Sequence, residues 1–332
     1  MLFTIIIFIL GFIILIGGAN FLIKGASLLG KKFNISPMVI GIVVVGFGTS
    51  LPELIISVMA VIKGSADISI SNAVGSNIAN IMLILGILAL ITTISTVSRH
   101  TLTVKIPAVI AASIILFLFT FDSWIRGADT NTLGRGAGII FLLIFVAFLI
   151  YTLFIHKEKI DENLNIQVKQ KTFVIFSLII AGIVGVVIGG NWVVDNAIVI
   201  ARYLGISEGV IGVSILAIGS SLPEVVSSVT AALKKEDGLA MGNIIGSNLF
   251  NTFLILGIAS VIKPLNVSGE QQFNILINII ASILFLIFVL SGKKGKVSKI
   301  QGVILLSLYV GFLVLCATAD TSQIFGIVPF FN

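Results

Sequence analysis

The residues of this chain that could do chemistry come as one short segment written twice. Gly48, Thr49, Ser50, Leu51, Pro52 and Glu53 return 171 positions later as Gly219, Ser220, Ser221, Leu222, Pro223 and Glu224, each copy inside a strongly apolar run. An ionisable side chain is expensive in hydrocarbon, and a proline leaves a backbone carbonyl without its N–H, so both features call for a partner. Pro52 should break or kink its helix just before Glu53 and free carbonyls between Gly46 and Thr49. Thr49 and Glu53 are spaced i, i+4 and Ser50 and Glu53 i, i+3, which groups hydroxyl and carboxylate oxygens on one turn. In the following helix Ser76 and Asn80 are again i, i+4, and the second copy supplies Ser220, Ser221, Glu224, Ser247 and Asn251 in the same arrangement. Every donor is oxygen, with no buried histidine or cysteine beside it. That chemistry suits Na+, Ca2+ or Mg2+ rather than zinc or copper. Two convergent glutamates carry a formal charge of −2, balanced by one Ca2+ or by two or more Na+. A flexible many-oxygen cage leans toward Ca2+, because Mg2+ demands rigid octahedral geometry and holds its water. Ions that compete for shared ligands are thereby coupled.

Elements able to place such a site must cross a membrane. Of 332 residues 58% are hydrophobic and 10% charged, and the mean hydropathy is +1.21. The apolar residues form long runs, and about 20 of them span ~30 Å of hydrocarbon. Ten spans are expected, near 2 to 23, 36 to 62, 68 to 92, 103 to 121, 136 to 155, 173 to 200, 207 to 233, 239 to 262, 272 to 290 and 300 to 317. Strand alternation is absent, so the reading is an all-α polytopic membrane protein rather than a barrel. Residues 1 to 23 lack a basic leading region and a small-residue cleavage site, and read as a first transmembrane helix. Cys316, the only cysteine, excludes an internal disulfide and a cysteine metal cluster, and reads as packing. Asn72, Asn77, Asn243 and Asn248 also read as structural, since they lie at a different helical angle from the Ser and Asn pairs.

Fifteen of the twenty Lys and Arg residues fall in alternate loops, which puts those loops in the cytoplasm and both termini outside it. The same distribution explains the formal charge of +6 as a basic cytoplasmic rim near anionic lipid, not as a nucleic-acid surface. Aligning 39–87 with 210–258 needs no gap and leaves 22 of 49 positions identical, the polar ones among them. With a one-residue gap Gly17 and Gly18 match Gly189 and Gly190, which extends the repeat to a whole half. Each half, 1–155 and 173–332, then holds five spans, with 156–172 as a short cytoplasmic linker. Because five is odd, the second half enters the membrane from the other side. Inverted repeats with broken helices are the pattern of secondary transporters.

At these residues the chain resembles the cation/calcium exchanger superfamily, whose two repeats carry Gly-(Thr/Ser)-Ser-x-Pro-(Glu/Asp) and Gly-Ser-Asn-hydrophobic-x-(Asn/Asp) signatures. Gly48 to Glu53 with Gly75 to Asn80, and Gly219 to Glu224 with Gly246 to Asn251, match both. The resemblance implies a ten-helix antiporter of the plasma membrane that extrudes Ca2+ against Na+ by alternating access. It implies that Glu53 and Glu224 are shared Ca2+/Na+ carboxylates, with hydroxyl or carbonyl oxygens from Thr49, Ser50, Ser220 and Ser221. Ser76, Ser247 and the backbone carbonyls of Gly46 and Ala217 would complete outlying Na+ sites, and Asn80 and Asn251 would flank the centre. Potassium-dependent and some microbial members have Asp at the position of Asn251, so the chain more closely resembles the potassium-independent sodium/calcium branch. Proton-coupled branches read Gly-Asn-Ala-x-Glu where this chain has hydroxyls. H+/Ca2+ exchange remains the alternative, because burial disfavours the charged form of a carboxylate.

Two further classes fit less well. A channel would be expected to build a symmetric pore from subunits, whereas here the pseudo-symmetry lies within one chain and is inverted. An enzyme would need a nucleophile and base or a cofactor loop, and neither motif occurs.

Overall fold

The computed structural model describes residues 1–92, 100–121, 131–155, 168–206, 217–292 and 297–318. These form α1 (Leu2–Phe33), α2 (Pro37–Thr49), α3 (Leu51–Ile62), α4 (Ile68–Ile91), α5 (Thr101–Phe119), α6 (Arg135–Phe154), α7 (Thr172–Tyr203), α8 (Leu222–Leu233), α9 (Asp237–Ile262), α10 (Gly269–Ser291) and α11 (Lys299–Cys316). Eight are long and apolar enough to cross a membrane, and α2 with α3, bent by 46° at Ser50, would make a ninth. The only strand pairing among the described residues joins Thr132–Leu133 to Leu265–Asn266, antiparallel.

Local sequence sets the helix ends. The Ser36 hydroxyl accepts from the Val39 N–H at 3.2 Å and Pro37 occupies the first turn, where its missing N–H is harmless. At Ser50 the backbone leaves helical geometry (φ −86, ψ 7), and at Ser221 it does the same (φ −91, ψ 6). The expected break before Glu53 is present, yet the Gly46 carbonyl is not released by it. It still accepts from the Ser50 N–H at 3.1 Å. Wide π-helical turns occupy Gly41–Gly46 in α2, Ala79–Ile84 in α4 and Phe250–Ile255 in α9. Such turns recur where a helix must present a functional group.

Element lengths repeat. Leu51–Ile62 and Leu222–Leu233 both have 12 residues, Ala66–Ile78 and Asp237–Leu249 both 13, and Leu2–Phe33 and Thr172–Tyr203 both 32. The first helix runs ten residues past its expected end at 23. Lys24 does not stop it, because Gly25 packs against Ile179 of α7, and the helix ends only at Asn34, with φ 55. The expected span 207 to 233 is described from 217 onward, and residues 156–167 of the expected linker lie outside the described part.

α4 and α9 are mostly buried, whereas α1, α6, α7 and α11 expose apolar side chains along most of their length. α1 and α7 cross in close antiparallel contact: a Cβ on Gly11 would lie 3.0 Å from the Val193 nitrogen, one on Gly18 2.6 Å from that of Val186, and one on Gly25 3.0 Å from that of Ile179. Part of this pair, Leu15, Ala19, Val186 and Val193, forms a small apolar cluster separate from the main core.

Candidate functional site

The break at Ser50 and its counterpart at Ser221 bring Glu53 and Glu224 to the start of α3 and α8, and both side chains are 0% exposed. Two charges in low dielectric demand compensation, yet among the described residues no lysine or arginine forms an ion pair with either. For Glu224 part of the compensation is a hydroxyl from the other copy.

Ser50 Oγ donates to Glu224 Oε1 at 3.1 Å. Ser221 Oγ donates to Ser76 Oγ at 3.2 Å, and no hydrogen bond reaches either oxygen of Glu53. Thr49 Oγ1 lies 3.1 Å from the Val45 carbonyl and 3.0 Å from Asn243 Oδ1, and its one proton serves one of them at a time. Several buried polar atoms have no hydrogen-bond partner: both oxygens of Glu53, Oε2 of Glu224, Oγ of Ser247, both amide atoms of Asn80 and Oδ1 of Asn251. Buried unpaired polar atoms are rare in folded proteins, and a cluster of oxygens among them is the environment a desolvated cation needs.

The remaining expected residues are placed as follows. Gly46 packs against α9, where a Cβ would lie 3.1 Å from the Ser247 nitrogen. Ala217 opens the short helical turn Ala217–Gly219 that precedes Ser220 and Ser221. Ser220 is half-buried and lines a cavity of about 670 Å3, together with Pro52, Ser76, Pro223, Asp195 and Glu270. The glutamates themselves sit behind that wall, one residue past each proline. Asn80 and Asn251 lie on the wide turns of α4 and α9, and the Asn251 amide bonds to Asn77 rather than to either glutamate.

Of the four asparagines set aside as structural, Asn72, Asn77 and Asn243 bear on the site. Asn72 Nδ2 donates to the Glu53 carbonyl and to Ser57 Oγ, both at 3.2 Å, and Asn243 Nδ2 donates to the Glu224 carbonyl at 3.3 Å and Ser228 Oγ at 2.8 Å. Each therefore holds the backbone of one glutamate, a structural role as expected, but Asn243 also reaches Thr49 of the other copy. Their recurrence at the repeat offset was the available signal. Among the described residues no group of three His, Cys, Asp or Glu converges, so carboxylate chemistry rests on the glutamate pair.

Comparison with known proteins agrees with this arrangement. The sodium/calcium exchanger protein family model matches residues 3–154 and 174–318. The sodium/calcium exchanger MaX1 of Methanosarcina acetivorans is 31% identical, over 93% of this chain and 97% of its own. The putative antiporter CaxA of Alkalimonas amylolytica is 33% identical, over 94% and 98%. A solved structure of the sodium-calcium exchanger NCX_Mj superposes with a TM-score of 0.80 at 30% identity, covering 96% of this chain and 99% of that one. Agreement in sequence and in fold over nearly the whole length makes the chain a member of the sodium/calcium exchanger family, a transporter and not an enzyme.

Proposed function

We propose that this chain exchanges Na+ for Ca2+ across the plasma membrane by alternating access, with Glu53 and Glu224 as the shared ligands. The observation that carries the reading is the pair of fully buried glutamates, three of whose four side-chain oxygens have no hydrogen-bond partner. Thr49, Ser50, Ser76, Ser220, Ser221, Ser247, Asn80, Asn251 and the carbonyls of Gly46 and Ala217 complete the coordination of one Ca2+ or of several Na+. The two ions cannot hold the full ligand set together, so loading one expels the other.

The architecture proposed is ten helices in two inverted halves, 1–155 and 173–332, with both termini outside the cytoplasm. It is supported by the repeated element lengths and by the antiparallel contact of α1 with α7, which hold matching places in the two halves. These two helices are the pair that slides against the core to switch access. The cavity beside Pro52 and Pro223 leads toward Asp195 and Glu270, on the side assigned to the exterior. If more than two Na+ exchange for one Ca2+, each cycle moves net charge, worth about 2.3 kcal/mol per elementary charge per 100 mV.

The deciding experiment loads proteoliposomes with Na+ and imposes Na+ or H+ gradients separately. Ca2+ uptake driven by the Na+ gradient supports the proposal, and uptake driven only by the pH gradient would replace it with H+/Ca2+ exchange.

A further inference from the structure

The repeat makes Asn80 and Asn251 formal equivalents, but the structure treats them differently. Asn251 is fully buried on the wide turn Phe250–Ile255, and its Nδ2 donates to Asn77 Oδ1 at 3.1 Å. Asn77 Nδ2 in turn donates to Thr252 Oγ1 at 2.9 Å. The two ends of a carboxamide have nearly the same shape and opposite polarity: the oxygen can ligate a cation and the NH2 cannot. With its nitrogen occupied by Asn77, Asn251 has only Oδ1 left to offer, and that atom is buried without a partner.

The matching group in the first copy lacks this relay. Asn248, the counterpart of Asn77, donates at 2.7 Å to the Ile244 carbonyl of its own helix, and both amide atoms of Asn80 are unpaired. Opposite Thr252 stands Ile81, which has no hydroxyl. The amide of one asparagine is therefore held by a partner from the other copy, and that of the other has no partner.

We propose that Asn77, held by Thr252, is a positioning residue that fixes the Asn251 amide with its oxygen available to the bound cation, and so sets the ion preference of the second half of the site. The inference rests on the reading of the glutamate cluster as a cation site. It makes the two halves of a near-symmetric site unequal ligands: Asn251 contributes a permanent oxygen, whereas Asn80 must first choose its orientation.

The test is a double-mutant cycle in proteoliposomes, reading half-saturating Ca2+ and Na+ concentrations and maximal rate for the wild type, Asn77→Ala, Asn251→Ala and the double variant. Asn77→Ala is expected to raise the half-saturating Ca2+ concentration roughly fivefold, the worth of one buried hydrogen bond, with the maximal rate little changed. In the Asn251→Ala background the same change should add nothing, because no amide remains to be oriented. An equal increment in both backgrounds, or none in either, overturns the proposal and leaves Asn77 as helix packing. Thr252→Val keeps the side-chain shape and removes only the acceptor for Asn77, so it decides the matter should Asn77→Ala not fold. It should move the same constant the same way by a smaller factor, and a folded Thr252→Val protein with wild-type constants overturns the proposal. Glu53→Gln is measured alongside. Wild-type Ca2+ transport in that variant would strike the cation-site reading itself, whichever way the cycle falls.

Discussion

Ser50 Oγ reaches Glu224 Oε1 at 3.1 Å, so a hydroxyl from the first copy of the repeat satisfies the carboxylate of the second. The reverse arm is less direct: Ser221 bonds to Ser76, and both oxygens of Glu53 stay without a full hydrogen bond. Neither copy can assemble the site by itself. Of the two glutamates, Glu53 depends more on a bound ion for its neutralisation.

Glu53→Gln and Glu224→Gln each remove one charge from a dry site that must hold a divalent ion. Loss of one partner from a buried charge cluster costs about 3–5 kcal/mol, which predicts a fall in Ca2+ transport of more than roughly 100-fold. Vesicle Ca2+ uptake measures it, and normal exchange in both variants would remove the glutamates from the site.

Ser50→Ala is expected to be more damaging than Ser221→Ala, because the first strips a direct donor from a carboxylate and the second strips one from another hydroxyl. A hydrogen bond to a charged group is worth about 1.5–3 kcal/mol, so the half-saturating Ca2+ concentration should rise by roughly tenfold or more in Ser50→Ala. Equal effects from the two serines would mean that the cross-copy bond to Glu224 has no special weight.

Much of this arrangement is legible in the chain. The doubled Pro–Glu step stands out because buried carboxylates are rare, and Pro52 and Pro223 mark the broken helices. What the sequence hides is contact between copies. Asn77 and Asn243 lie on a different helical face from Ser76 and Ser247, which argues against a site role when each helix is taken alone. Packing of α4 against the second copy and α9 against the first brings them to Asn251 and Thr49. The wide turns were equally hidden, since a period of 3.6 residues carries no mark of a π-helical turn. The long end of α1 was missed because Lys24 looks like a membrane boundary, while the helix is continued by its contact with α7.

Asn251→Asp would add a third carboxylate next to Glu53 and Glu224, and would give Asn77 Oδ1 an acceptor where it now has a donor. Asn77 would have to turn over, and Thr252 would then have to donate to it instead of accepting. The predicted result is a changed Ca2+/Na+ preference, seen as unequal shifts of the two half-saturating concentrations. Unchanged values for both ions would place Asn251 outside the ligand set.

The end of α1 away from Asp195 is tied to the turn between α8 and α9. Ser27 Oγ donates to Glu236 Oε1 at 2.5 Å, Lys31 pairs with the same carboxylate at 3.8 Å, and Lys234 Nζ donates to the Asn20 carbonyl at 3.2 Å. If α1 slides during exchange, these contacts must break, so they favour the conformation in which the cavity at the other end is open. The Lys31 pair is partly exposed and worth about 0–1 kcal/mol, which leaves the Ser27 bond as the stronger tie. Glu236→Ala removes both and should shift the population toward the opposite state. Cys316, the sole cysteine, lines the cavity and serves as the reporter. Its labelling by a membrane-impermeant maleimide is predicted to slow in Glu236→Ala, and to slow less in Glu236→Gln, where Ser27 retains its acceptor. Labelling at the wild-type rate in both variants would show that this tie does not hold the two helices in register.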